Sequence, residues 1–290
     1  MLDNYLLEEL VTFAQTGTLA KTAATLNVTQ PTVTRGMQKL ESDLGVQLFD
    51  RQPNRLSLTA TGKLAATEAR ALLTANQAAV DRIQNFDRNQ RVLQVGATLP
   101  GPLIALQSLA TQLPANVQLA ETADVIDPTQ ALLANDDALI FTNHPLAAPA
   151  ITSERLGTER LAVNLNQFMY QANQATITFA ELADLSFVVL NDIGPWRAII
   201  QDNIPGAKFF YQEERDALTE ITKFSDFPYF STNVSQFDPV LTTQLATDDK
   251  RVCLPITDNA AQMPIYACYL TAEKARVAPI LKQAQAVWPD

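Results

Sequence analysis

The chain has 290 residues, 47% apolar and 18% charged, with a net charge of −10. That length holds one large or two to three ordinary domains, and the low charged share leaves a polar surface built largely from Gln, Asn and Thr. Two cysteines exclude a disulfide framework and point to a reducing, cytoplasmic compartment; with a single histidine they supply too few soft ligands for most zinc or iron sites, so no metal or cofactor is expected.

Met1-Leu2-Asp3 opens the chain without a basic stretch or an apolar run, so no secretory signal is expected. A first helix is predicted over Tyr5–Gln15, where Leu6, Leu7, Leu10, Val11 and Phe13 recur at helical spacing before Gly17. Thr18 can cap a second helix, Leu19–Leu26, and Asn27-Val28 makes a brief turn. Thr29 caps a third helix with Pro31 in its first turn, where a missing N–H costs nothing. In that helix Val33, Met37, Leu40 and Leu44 form one buried stripe, the opposite face carries Gln30, Thr32, Thr34, Arg35, Gln38 and Lys39, and Gly45 stops it.

Two short helices joined by a tight turn, the second showing amide, hydroxyl and guanidinium groups outward, form a helix-turn-helix pattern. Arg can bond guanine bidentately, Gln can bond adenine, and Thr offers a methyl to thymine or a hydroxyl to phosphate. The plain alternative is a helical pair with a solvated polar face. Leu48–Arg51 and Leu56–Leu58, strand-like runs around Pro53-Asn54, add a hairpin wing carrying Arg51 and Arg55. Net charge does not oppose this reading: residues 1–91 hold ten Lys/Arg against nine Asp/Glu, so the acidity belongs to the rest of the chain.

The run Phe13–Gly62 carries F-A-x-T-G-T-L, A-A-x-x-L-x-V-T-Q-P-T-V-T-R, L-E-x-x-L-G-V-x-L-F-x-R and L-T-x-x-G in order. It resembles the N-terminal domain of LysR-type transcriptional regulators, and chain length and layout extend the resemblance to the whole chain. The resemblance implies that the third helix enters the major groove of double-stranded DNA, with Gln30, Pro31, Thr34 and Arg35 facing bases. Thr18, Lys21, Thr29, Arg51 and Arg55 would then face the backbone or minor groove. Gly36 departs from the family, which usually has a longer side chain there; a close helix contact or a closer approach to DNA would explain it.

Residues 60–88 are predicted as one long helix, in which Gly62, Ala65, Ala69, Leu72, Asn76, Ala79, Ile83 and Phe86 alternate by three and four as a pairing seam. The alternative is a solitary helix lying on its own domain through Leu73 and Val80. The resemblance implies the pair: an antiparallel linker-helix dimer, within a homodimer or homotetramer, placing two winged domains on two half-sites. Asp87–Gln90 would be the hinge.

From Arg91 strands alternate with helices, which predicts two open α/β units with mostly parallel sheets. The first cycle comprises strands Val92–Ala97, Val117–Ala120 and Ala138–Phe141 with helices Gly101–Gln112 and Pro128–Ala134. The uncharged stretch Val92–Ala120 is broken by Pro100, Pro102 and Pro114 and is no membrane span. The second cycle comprises strands Phe187–Leu190, Phe209–Tyr211 and Tyr229–Phe230 with helices Trp196–Asn203, Arg215–Phe224 and Pro239–Ala246. Thr178–Glu181 reads as a capping box. Strands near Leu161–Leu165 and Ile265–Tyr269 cross between the units, and a last helix, Ala272–Val287, returns to the first. This resembles the family's two-lobed effector-binding domain, whose fold is shared with periplasmic binding proteins. The resulting division is a winged helix-turn-helix at 1–60, a linker helix and hinge at 61–90, and a two-lobed α/β domain at 91–290. Lobe one covers about 91–163 and 264–290, and lobe two about 164–263.

Open α/β sheets bind ligands beyond the carboxyl ends of their strands. That rule selects Thr98, Leu99, Pro100, Gly101, Thr142 and Asn143 in lobe one, and Asn191, Asp192, Gly194, Trp196, Ser231 and Thr232 in lobe two, as the rim holding a small-molecule effector of open charge. Loop chemistry and helix capping are the plain alternative for each. His144 reads as a loop residue with no triad partners, and Cys253 and Cys268 as buried, inert thiols. The combined reading is a ligand-responsive DNA-binding transcriptional regulator and not an enzyme. The competing class is a two-lobed small-molecule-binding protein or enzyme whose N-terminal helices serve only dimerisation.

Overall fold

The computed structural model describes residues 2–52, 55–239, 242 and 250–288. They fall into two compact units, Met1–Gln84 and Asn85–Asp290. Among the described residues no helix is long and apolar enough to cross a membrane.

The N-terminal unit begins with α1 (Asn4–Thr16), closed by Gly17 at φ +72° with its N–H bonded to the Phe13 carbonyl. Helix α2 (Leu19–Thr25) starts where the Thr18 hydroxyl accepts the Lys21 N–H at 3.3 Å, and α3 (Gln30–Leu44) where the Thr29 hydroxyl accepts that of Thr32 at 3.4 Å. Gly45, at φ +67°, ends α3. The antiparallel hairpin of β1 (Phe49–Gln52) and β2 (Arg55–Leu58) follows; its turn, Pro53-Asn54, lies outside the described residues. Leu6, Leu10, Phe13, Val33, Met37, Leu40, Leu48 and Phe49 fill the core, with Phe13 and Phe49 edge to face at 5.3 Å. Leu44 departs from the expected stripe: it stands in the last turn before Gly45 and is exposed.

Gly36 is a close helix contact. A Cβ there would fall on the carboxylate of Glu9, which is buried opposite it. Glu9 Oε2 completes no hydrogen bond, and burial holds the carboxyl above its usual range. A raised carboxyl favours the folded domain fully below the pH at which a free glutamate ionises, and the benefit is lost as pH rises through the folded value. Glu9→Gln is therefore expected to raise the melting temperature near neutral pH and to flatten its dependence on pH. Thermal unfolding across pH 3–8 checks this, and a profile parallel to the wild type would contradict it.

Helix α4 (Ala60–Arg91) starts at Thr59, whose hydroxyl accepts the Gly62 N–H at 2.9 Å. Its expected seam divides. Gly62 and Ala69 are buried and Ala65 is half-buried against the unit's own core, where Gly62 lets the helix approach the Leu48 carbonyl. Leu72, Ile83 and Phe86 stand exposed; of the alternative face, Leu73 packs on that core and Val80 is exposed. The expected hinge at Asp87–Gln90 is helical instead. Asn85 Nδ2 donates to the Ala134 carbonyl at 3.1 Å and Asp136 at 2.7 Å, and Asn89 Nδ2 to the Asn135 carbonyl at 2.7 Å, so this polar turn is docked.

The second unit runs β3 (Leu93–Ala97), α5 (Pro100–Gln107), β4 (Val117–Leu119), α6 (Pro128–Leu133), β5 (Leu139–Thr142) and β6 (Ile151–Asn166). It continues β7 (Ser186–Leu190), α7 (Trp196–Asn203), β8 (Lys208–Gln212), α8 (Arg215–Phe224), β9 (Tyr229–Thr232), β10 (Arg251–Pro255), β11 (Gln262–Leu270) and α9 (Lys274–Val287). The helix expected over Pro239–Ala246 lies largely outside the described residues.

Two lobes are joined by one long strand. Residues 151–160 of β6 pair with β11, and residues 161–166 pair with β9 and β10. The main sheet runs β10-β6-β11-β5-β3-β4, with β9 also on β6; β7 and β8 form a separate parallel pair. The sheet is mixed and not mostly parallel: β3 is parallel to β4 and β5, whereas every pairing of β6 and β11 is antiparallel. Strands β10 and β11 follow one another along the single long β6, both antiparallel to it, an arrangement that alternation of strands and helices does not disclose, which is why alternation alone overstated the parallel content. All of β5 is buried, as a strand covered on both faces must be. Thr178–Glu181 closes its box, the Glu181 carboxylate accepting the Thr178 N–H at 2.8 Å, but opens only a 3-10 turn. Cys268 is buried beside Thr142 and Ser153, whereas Cys253 is exposed because β10 is an edge strand.

Candidate nucleic-acid interface and inter-lobe cavity

The caps of α2 and α3 fix what the N-terminal unit displays. Gln30, Pro31 and Arg35 are exposed on α3; Thr34 is half-buried, its hydroxyl turned back to the Gln30 carbonyl at 3.0 Å. Thr18, Lys21 and Thr29 are exposed around the starts of α2 and α3, the two threonines as caps. Among the described residues, Arg35 and Lys21 form no ion pair within the chain, so their charges face solvent. Lys39, by contrast, is held by Asp3 at 2.8 Å.

Thr18, Gln30, Thr34 and Arg51 border one groove between α2, α3 and the hairpin, of about 480 Å³. Arg51 is anchored by Glu41 at 3.0 Å, and the other oxygen of Glu41 accepts the Leu48 and Phe49 N–H groups at 2.8 and 3.0 Å. One carboxylate thereby ties α3 to the root of the hairpin and leaves part of the Arg51 guanidinium outward. Arg55 begins β2, paired with Gln52. Sequence reasoning missed Glu41, although an acid within a polar face two turns before a basic wing is the pattern such a tie requires.

In the second unit a cavity of about 90 Å³ opens where α5, β6, β7, α7 and β9 meet. Six of the twelve rim residues selected from sequence line it: Pro100, Gly101, Asp192, Trp196, Ser231 and Thr232. The other six do not. The Thr98 hydroxyl reaches the Phe141 carbonyl at 3.4 Å, and Leu99 is fully buried. Thr142 bonds the His144 carbonyl at 2.6 Å, and Asn143 bonds the His144 ring at 2.9 Å, in a loop. Asn191 is held by Arg197 at 2.6 Å, and Gly194, at φ +57°, packs on Pro100.

Glu159 is a buried acid of the lining that sequence reasoning missed. Its side chain is 3% exposed, and a Cβ on Gly101 would fall on its carboxylate. Burial holds the carboxyl above its usual range, eased by the Thr232 hydroxyl and the Trp196 indole. Even so, Glu159 Oε2 and Trp196 Nε1 complete no hydrogen bond. Arg215 and Asp238, also on the wall, are an ion pair with each other. A signal for Glu159 existed: extending β6 backward at period two puts Glu159 on the face of Leu161, Val163 and Leu165, all buried.

Comparison with known proteins matches residues 5–63 to a family model described as bacterial regulatory helix-turn-helix protein, lysR family. An SDS degradation transcriptional activation protein of Pseudomonas sp. is 36% identical over 106 residues, which are 36% of this chain and 34% of that protein. The HTH-type transcriptional regulator DgcR of Pseudoalteromonas sp. is 23% identical over 202 residues, 65% of this chain and 68% of the relative. The chain thus spans about a third of the first relative's length and about two thirds of the second's. Among solved structures, Vibrio fischeri DarR in complex with DNA superposes with TM-score 0.58 at 20% identity, covering 99% of this chain and 98% of that one. A full-length OxyR variant of Pseudomonas aeruginosa superposes with TM-score 0.50 at 17% identity, covering 98% of this chain and 95% of that one. These likenesses show the fold: an N-terminal helix-turn-helix followed by a two-lobed α/β domain. What the comparisons show by sequence is thus the N-terminal domain: residues 5–63 match the helix-turn-helix of the lysR family of bacterial regulatory proteins.

Proposed function

We propose that the chain is a transcriptional regulator that binds double-stranded DNA through α3 and the hairpin and responds to a small molecule held between its two lobes. The observation that carries this reading is the exposed, doubly capped α3, with Arg35 unpaired, inside the segment that matches the lysR family. Gln30, Pro31, Thr34 and Arg35 meet base edges in the major groove, and Thr18, Lys21, Thr29, Arg51 and Arg55 meet the sugar–phosphate backbone or minor groove. A neutral N-terminal segment with outward guanidinium groups can do this although the whole chain is acidic. The relatives' names, a transcriptional activation protein and an HTH-type transcriptional regulator, support the same role, as does DarR, solved in complex with DNA.

The division of labour follows the chain. Residues 1–60 read DNA, residues 61–90 link and pair subunits, and residues 91–290 bind the effector. The chain acts as a homodimer or homotetramer presenting two DNA-reading domains, and the effector shifts the balance between two arrangements of that assembly. Pro100, Gly101, Asp192, Trp196, Ser231 and Thr232, with Glu159, form the effector site. The protein binds its small molecule and does not transform it.

Arg35→Ala is expected to weaken binding to the cognate site by about 1–3 kcal/mol and to relax the base preference at one position. Arg51→Ala is expected to weaken all sequences alike and to lower the slope of log affinity against log salt by about one unit. Titrations over 50–300 mM salt on specific and scrambled duplexes check both. An Arg35→Ala protein with wild-type base preference would remove α3 from the groove.

A further inference from the structure

We propose that the effector carries a hydrogen-bond-donating cationic group, a primary ammonium or an amidinium, which Glu159 receives at the closed end of the inter-lobe cavity. This deepens the reading of that cavity as the effector site and rests on it.

The first ground is the unmet acceptor. Glu159 is 3% exposed, its Oε2 completes no hydrogen bond, and the residue lines the cavity beside Gly101. A buried acceptor left unmatched is costly, and a donor-bearing ligand removes the cost. The nearby Trp196 Nε1 is likewise buried; it bears on the Glu159 carboxyl without completing a hydrogen bond. It offers the ligand a donor beside the acceptor, as a hydroxyl or carbonyl adjoining the ammonium would use.

The second ground is that the place where an anion would sit is already acidic. Helix N-termini attract anions through free N–H groups, but α5 starts Pro100-Gly101-Pro102, so two of its first three residues have no N–H to give. The carboxylate of Glu159 lies against Gly101 at that end. Acid already stands where the anion would go.

The third ground is the charge of the walls. Among the described residues, the charged ones lining the cavity are Glu159, Asp192, Arg215 and Asp238. Arg215 is spent on Asp238, which leaves two carboxylates and no uncommitted cation. Leu161, Val188, Leu190 and Ile193 supply the apolar remainder. The cavity therefore selects a small, largely apolar body with a positive donor at one end.

The test uses the full-length protein and the n-alkylammonium ions from methyl to butyl, alongside the matching alcohols and carboxylates, followed by calorimetry and ligand-observed NMR. An ammonium of the series is expected to bind, with the carboxylate of the same length at least tenfold weaker. Glu159→Gln keeps shape and acceptor but removes the charge. It is expected to weaken the ammonium at least tenfold, leave the alcohol within threefold, and retain the wild-type melting transition. Asp202→Asn, exposed on α7 and outside the cavity lining, is expected to change ammonium affinity less than threefold. Carboxylate binding equal to or tighter than ammonium, or ammonium affinity unchanged in Glu159→Gln, would overturn the proposal and leave the cavity as the effector site. Failure of all three series to bind at 20 mM would overturn both. DNA binding by the effector-free protein tests the regulator reading independently of either result.

Discussion

Gly62→Ala is expected to destabilise the N-terminal unit by about 1–3 kcal/mol, the usual cost of overpacking. The direction is informative because the same exchange in an open helix stabilises by ~1 kcal/mol. Here the added Cβ would meet the Leu48 backbone carbonyl oxygen and, at 3.0 Å, the Leu58 side chain. That carbonyl already accepts the Thr59 N–H at 2.9 Å and its hydroxyl at 3.2 Å, so displacing it loosens the junction of hairpin and α4 together. A backbone oxygen cannot swing aside as a side-chain tip can, and the clash outweighs the propensity gain. Denaturant unfolding of both proteins checks the sign. A variant as stable as the wild type would mean that α4 does not seat on the hairpin root.

Ile83→Asp is expected to dissociate the assembly and, through it, to weaken DNA binding about 100-fold or more. Ile83 is 71% exposed and Phe86 50% on α4, with Leu72 and Val80 exposed on the same helix. Apolar side chains of this size gain about 1.5–3 kcal/mol each when fully buried. A carboxylate placed in a closed seam carries an uncompensated desolvation cost. Two linked DNA-reading domains gain 10²–10⁴ in avidity over one, and a monomer forfeits it. Sedimentation should give the single-chain mass for the variant at concentrations where the wild type is assembled. A variant that sediments like the wild type would show that this face does not pair.

Much of this was legible in the sequence because the relevant signals are local. Thr18, Thr29, Gly17 and Gly45 punctuate the helices of the N-terminal unit, and caps act within a turn of their own position. Helices α7 and α8 have the limits expected from apolar periodicity alone. The losses have a common cause. Residues 151–160 of β6 carry no plain strand pattern, since Ser153, Glu154, Arg155, Glu159 and Arg160 conceal a strand whose partner, β11, lies over a hundred residues away. The mixed sheet and the placement of Glu159 both depend on that pairing. Asn89 looked like hinge chemistry because nothing near it in the chain reveals that the Asn135 carbonyl accepts its hydrogen bond. Six of the twelve rim residues line the cavity, most of them just past strand ends; of the others, Thr142 and Asn191 are occupied with their own hydrogen bonds.

Sequence-specific recognition of DNA is tested most directly by selection of binding sites from random duplexes with the full-length wild-type protein at 100 mM salt. The expected result is enrichment of one motif in two related halves. Their centres should be separated by a whole number of helical turns of about 10–10.5 base pairs. Affinity for the enriched site should exceed that for scrambled duplex by about 10³-fold or more, and should fall as salt rises. Equal recovery of all sequences, or no recovery at low salt, would contradict a regulator that reads DNA through Gln30, Thr34 and Arg35.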